Sequence, residues 1–357
     1  MGIINKNNIL LFFIFVLFGL PNVQATELSK GSNANVIEIS QDPTAVPLSP
    51  TNHTPQVVKY NFKIKEVNAP IENGASFPFW TFNGKVPGPF LRVKEGDTLE
   101  ITLENPKESS FNHTIDFHAA TGTGGGAADL MVAPGNTKTI RFKAKQAGLY
   151  IYHCAVAHIP THISHGLYGL ILVEPKNGLP QVDKEFYIVQ GEMYTKALPK
   201  KIQGLHEQDD QRMFDELPTF VVFNGRVGAL TGERALKAKV GDTVRIFMGN
   251  AGPNEISSFH VIGEIFDRVY NLGDLIDPPL RNVQSIAIPA GGAAMVEFKV
   301  DVPGKYTLVD HSLVRAVNKG AMGTLEVTGK PNPEIYAGKI AEKITNPEAK
   351  PSADSMH

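Results

Sequence analysis

Cysteine is almost missing from this chain. The one copy, Cys154, excludes any intramolecular disulfide. Charge of one sign is missing too: the formal net charge is -2, so nothing points to nucleic acid or to an anionic membrane surface. Long apolar runs are also absent. The longest, Ile9–Leu20, is too short to span a bilayer. Lys6 before it and Val23-Gln24-Ala25 after it instead give Met1–Ala25 the pattern of a secretory signal, so a periplasmic location is expected. No cysteine lies near that end, which argues against a lipid anchor. A free thiol in an oxidising compartment is a liability that a metal thiolate would explain.

Histidine, in contrast, is concentrated. Six of the 11 histidines fall between His113 and His165. They sit in two stretches, His113-Thr114-Ile115-Asp116-Phe117-His118 and Tyr150–Gly169, which reads YIYHCAVAHIPTHISHGLYG. Tyr150–Cys154 is aromatic and β-branched, as strands are, and neighbours on a strand face opposite ways. His153 and Cys154 therefore point apart while sharing a peptide bond. By the same alternation, one face can collect His113, Cys154 and His162, and the other His118, His153 and Asp116. Two imidazoles and a thiolate form the ligand set of a blue copper centre, with zinc the runner-up; two histidines lacking a third are part of an open catalytic site.

The rest of the chain reads as all-β. Residues 26–56 are rich in Ser, Asn, Thr and Pro and are expected to be a flexible linker. Short strands punctuated by Gly and Pro follow over 57–175, then a linker over 176–185, a second β series over 186–329 and a polar tail over 330–357. Short helices are expected over Asp209–Leu217 and around Ile335–Ile344. The two β series repeat one another: FNGKV at 82–86 matches FNGRV at 223–227, EGDT at 95–98 matches VGDT at 240–243, and GLYG at 166–169 matches GAMG at 320–323. Counted from Gly148 and Gly304, Asp310 takes the place of Cys154, and His311 follows it. The fold expected is two tandem cupredoxin-like Greek-key β-sandwiches.

The motifs HTIDFHAATGTGGGAA, YIYHCAVA, ISHGLYGLILVEP, VVFNGRVGALTG, SSFHVIGEIFD and YTLVDHSLVRA resemble those of the copper-containing nitrite reductases, over nearly the whole chain after the signal. The resemblance is nearest to the class often tethered to the outer membrane. It implies a homotrimer with two coppers per chain. His113, Cys154 and His162 would hold type 1 copper, with Leu167 standing where the family has an axial methionine. His118 and His153 would hold type 2 copper, with His311 supplied by a neighbouring subunit. Asp116 and His260 would relay protons, and Ile262 would shape the nitrite pocket. The implied reaction is dissimilatory reduction of nitrite to nitric oxide, fed by a small cupredoxin or a c-type cytochrome. His158, His165 and Met131 are alternative neighbours of the type 1 site, the two histidines reading most simply as exposed loop residues. The rivals are a homologue whose turnover is impaired by Leu167, a copper protein that only transfers electrons, and a two-domain multicopper oxidase. Ala155 after Cys154 and the H-x4-H spacing of His113 and His118 argue against the last.

Overall fold

The computed structural model describes residues 37–51, 54–197 and 203–341. Alternation builds its strands. In Thr98–Asn105, Leu99, Ile101 and Leu103 are buried while Thr98, Glu100, Thr102 and Glu104 turn outward, the period-2 pattern of a sheet with one wet face. This strand lies in a five-stranded sheet ordered Gly204–Leu205, Ala75–Phe82, Val57–Glu72, Thr98–Asn105, Asn136–Lys143. Opposite it is a four-stranded sheet of Leu91–Lys94, Tyr168–Glu174, Gly148–His153 and Asp116–Phe117. Phe62, Leu99, Phe117, Tyr152 and Ile171 fill the space between them.

The second sandwich repeats the plan with two five-stranded sheets. One is ordered Phe220–Phe223, Lys184–Met193, Thr243–Gly252, Gly292–Lys299, Arg268–Tyr270; the other Leu236–Lys239, Met322–Thr328, Gly304–Asp310, Ser257–Ile262, Ser285–Ile288. Phe186, Ile246, Phe259, Phe298 and Leu308 are part of its core.

A third apolar cluster joins the sandwiches. Every residue of Tyr168–Glu174 is buried. Ile171 and Val173 point into the first core, whereas Leu170 and Leu172 pack with Tyr187, Val189, Phe247 and Met295 of the second half. A strand covered on both faces loses its alternation, and each such side chain contributes about 1.5–3 kcal/mol of burial. Beside this cluster, Arg92 bonds Glu174 (2.5 Å) and Glu185 (2.6 Å), while Arg245 bonds Glu185 (2.7 Å) and Glu297 (2.7 Å). Glu185 thus bridges two buried guanidiniums from different sandwiches, an arrangement that favours one alignment of the two.

Three expectations need correction. The 26–56 segment is not a free tether where it is described: Gln41 donates to Val86 O (2.9 Å), Tyr187 to Pro43 O (2.7 Å) and Arg92 to Pro47 O (2.7 Å). Polar composition hid this, because the backbone rather than side chains makes most of the contacts. The tail forms no helix over 335–341, where only a turn at Asn332 is closed. His165 is not an exposed loop residue but is buried at 4% exposure. The helix expected over Asp209–Leu217 is present as Asp210–Phe214, capped by the Asp209 carboxylate, which accepts from Arg212 N. The expected signal at Met1–Ala25 lies outside the described residues. Among the described residues no helix is long and apolar enough to cross a membrane.

Candidate metal centres

Both histidine clusters lie where the Gly148–His153 strand leaves its sheet. His113 is held extended by reciprocal backbone bonds with Val132 (3.0 and 2.8 Å). Three residues on, Asp116 pairs directly with His153 and Phe117 with Tyr152. Beyond Cys154 the chain turns at His158, which adopts a left-handed backbone (φ 64), and enters the short helix Ile159–Ser164 with Pro160 in its first turn. That turn returns His162 to Cys154, and Cys154 N then bonds Leu167 O (3.0 Å).

His113, Cys154 and His162 converge inside the first sandwich. Cys154 Sγ lies 3.4 Å from His162 Nδ1 and 3.9 Å from His113 Nδ1. All three are buried, at 0%, 0% and 4% exposure. Burial pushes the imidazoles down, His113 to about 4 and His162 to about 3, and pushes the thiol up to about 11. Three neutral donors therefore meet in an apolar pocket, and the thiolate that a soft metal prefers becomes favourable only with a cation present. His113 Nε2 has no hydrogen-bond partner and lies 3.9 Å from the Glu66 carboxylate. This donor set fits copper. Leu167 is fully buried in the same core and offers no donor atom. Met131 is 40% exposed and His158 is exposed, and neither joins the cluster.

On the other face, His118 and His153 bring their Nε2 atoms to 3.2 Å, with Asp116 alongside. His153 Nδ1 faces the Cys154 carbonyl (3.0 Å), and the backbone of Gly291 from the second sandwich bonds the His118 ring. The Cys154 carbonyl puts the His153 proton on Nδ1, so the His153 Nε2 lone pair faces His118. Two Nε2 atoms this close suit a metal held by two imidazoles. Burial, then the neighbouring His153, keeps His118 below the usual histidine range.

The second sandwich contributes a separate pair. His260 and His311 stack edge to face at 5.5 Å between centroids, and His260 Nδ1 bonds Gln284 O (2.6 Å). Ile262 shares the strand face of His260 and is 45% exposed. His311 does not join His118 and His153 within the chain.

Sequence reasoning missed the packing behind the first cluster. Trp80, the one tryptophan, stacks on His165 (4.0 Å, 15°) and lies edge-on to His162 (4.8 Å). His165 Nδ1 donates to Thr161 O (2.7 Å), and burial lowers this ring to about 4. No local signal marks Trp80; the uniqueness of the residue was its sole flag.

Two sandwiches with a buried Cys/His2 cluster at the end of one strand define a two-domain cupredoxin. Residues 63–178 match the multicopper oxidase family. A copper-containing nitrite reductase of Neisseria meningitidis serogroup B is 56% identical over 304 residues, which cover 82% of this chain and 77% of that one. A second, from Neorhizobium galegae, is 37% identical over 306 residues, 80% of this chain and 79% of the relative. The solved copper nitrite reductase of Nitrosomonas europaea aligns with a TM-score of 0.69 at 38% identity, covering 78% of this chain and 96% of that one. The chain belongs to the copper-containing nitrite reductases.

Proposed function

We propose that the protein reduces nitrite to nitric oxide, consuming one electron and two protons and releasing water. The observation that carries this reading is the pair of clusters joined through one peptide bond, Cys154 on one side and His153 on the other. His113, Cys154 and His162 would hold the type 1 copper that receives the electron. His118 and His153, with His311 from a neighbouring chain, would hold the type 2 copper. When bound, these ions supply electron entry and a Lewis-acidic centre for nitrite.

The protein's own groups do the rest. Asp116 pairs across from His153 and shares a cluster with His118, so its carboxylate can take and return a proton beside the substrate oxygen. His260 is oriented by Gln284 O with its Nδ1 occupied, which leaves Nε2 to carry the second proton. Ile262 supplies an apolar wall from the same strand face.

A homotrimer completes the second site. His311 is exposed and unshared within the chain, and Ile256, Leu313, Val314 and Val317 around it are 50–65% exposed. Such a patch beside an incomplete site suits burial against another copy. A periplasmic location follows the pattern of Met1–Ala25, and the donor expected is a small cupredoxin or a c-type cytochrome.

The test is metal analysis with visible and EPR spectra of the copper-loaded protein, followed by anaerobic assay with a reduced donor. Two coppers per chain, one blue and one not, and nitrite-dependent nitric oxide are expected. One copper per chain, or no nitric oxide from the fully loaded protein, would overturn the reading.

A further inference from the structure

The run Gly122-Thr123-Gly124-Gly125-Gly126 crosses the face that carries Asp116. Thr114 Oγ1 donates to Ala127 O (2.6 Å) and ties the far end of this loop to the strand. Ala127 N bonds Gly124 O (2.8 Å) and Leu130 N bonds Gly126 O (3.1 Å), which closes the loop on itself. Its backbone therefore lies fixed against Asp116 and Phe117.

Gly124 and Gly125 have nearly the same left-handed backbone, φ 59 and 56. Their surroundings differ. A β-carbon on Gly124 would meet nothing nearer than Ala127 Cβ at 3.9 Å. A β-carbon on Gly125 would overlap Asp116 Oδ1 outright and lie 3.0 Å from both Asp116 Cγ and the Phe117 carbonyl oxygen. Backbone conformation alone accounts for glycine at 124. At 125 the carboxylate adds a second reason. Among the described residues no side-chain hydrogen bond holds that carboxylate. It lies beside His118 and His153 with its Oδ1 over the bare backbone of Gly125.

We infer that Gly125 is a positioning residue for Asp116: the missing side chain keeps open the space in which the carboxylate lies next to the two imidazoles. This rests on the reading of Asp116 as a proton-transfer group. It adds that the group's position is controlled sterically from the glycine loop.

The two glycines form a matched pair of variants. Gly124→Ala and Gly125→Ala impose nearly the same left-handed backbone penalty, and only the second touches Asp116. Gly122→Ala, at φ 163 with no atom within 4 Å of its β-carbon, controls for the added methyl. The copper-loaded variants, matched by their visible spectra, are to be assayed for kcat and KM for nitrite across pH. Gly125→Ala is expected to lower kcat at least tenfold and to shift the pH profile, with Gly124→Ala and Gly122→Ala within about threefold of the parent. In an Asp116→Ala background, Gly125→Ala should cost less than twofold more, because the two substitutions remove one interaction. Equal effects of Gly124→Ala and Gly125→Ala, or an undiminished Gly125→Ala effect once Asp116 is gone, would overturn the inference.

Stability gives a readout independent of activity. Gly125→Ala should lower the melting temperature more than Gly124→Ala, and adding Asp116→Ala should recover part of the difference, the rest belonging to the Phe117 carbonyl contact. No recovery would equally overturn it. Failure of the underlying reading has its own signature, since Asp116→Ala alone would then leave turnover unchanged while the melting-temperature coupling between 116 and 125 persisted.

Discussion

Cys154 and Asp310 occupy the same place in the two sandwiches. Each is the sixth residue after the glycine that opens its strand, and each donates its backbone N–H to the residue just before the returning strand, Leu167 O at 3.0 Å and Ala321 O at 3.1 Å. The first copy keeps a thiol there. The second keeps a fully buried carboxylate that accepts from Ser258 N (3.1 Å), Ser312 N (3.0 Å), Gln190 Nε2 (3.1 Å) and Arg315 Nη1 (3.2 Å). Those bonds hold the turn that carries His311.

Asp310→Ala would therefore strand several buried donors at once. A loss of about 2–4 kcal/mol is expected, read as a lower denaturation midpoint. The copper-loaded protein should keep its blue absorption and lose the type 2 EPR signal, because His311 belongs to the proposed type 2 site and not to the type 1 cluster. Retention of both signals at parental intensity would remove Asp310 from that role.

The buried histidines set a pH dependence in the copper-free protein. His113, His162 and His165 are lowered by burial to about 4, 3 and 4. The unfolded chain titrates near 6.5 and so binds more protons in this window. The contribution of these three histidines is therefore complete above pH 6.5 and declines as pH falls toward 4, each with a slope approaching about 1.4 kcal/mol per pH unit, opposed in part by Glu192 and Glu264, which burial raises to about 7. Urea midpoints measured from pH 7 to pH 4.5 should fall. His165→Phe, which keeps an aromatic ring against Trp80, should flatten that fall relative to the parent.

The proposed proton-transfer groups should separate from the proposed metal ligands. Asp116→Ala and His260→Ala are each expected to lower nitrite turnover on the order of 10²-fold, with both coppers retained by metal analysis. Unchanged turnover in either variant would release that residue from the reaction.

Leu167 should raise the type 1 potential. It offers copper no donor and lines the pocket with hydrocarbon, which disfavours Cu(II) more than Cu(I). Leu167→Met is expected to lower the midpoint potential in a redox titration and to alter the visible spectrum. Each 59 mV or so changes the electron-transfer equilibrium tenfold. An identical potential and spectrum would place the axial position elsewhere.

The proposed trimer can be tested at the patch beside His311. Val314 is 65% exposed on the short helix that follows it. Val314→Glu should shift light-scattering mass from trimer to monomer and remove type 2 copper along with nitrite turnover, while the blue absorption persists. A monomeric parent that still binds full type 2 copper would refute the intersubunit site.

What the sequence determined by itself was whatever depends on local period and residue type. Alternation of apolar residues set the strands. The Cys154–His153 step, read with the same period, separated the face of His113 from that of His118 and Asp116, because opposite-facing neighbours are a property of any extended backbone, whereas the short helix Ile159–Ser164 brings His162 to Cys154. The internal repeat showed that the second copy could not rebuild the Cys/His2 cluster. Only the tertiary structure decided matters that rest on residues far apart in the chain. Trp80 meets His165 across 85 positions, Gly291 turns the His118 ring from the other sandwich, and residues 38–49 join the body through backbone bonds that no composition reveals. Gly125 is one of several glycines in a permissive loop until the fold lays Asp116 against it. These contacts come from packing separate elements together, and packing selects partners by shape and distance that a local pattern does not encode.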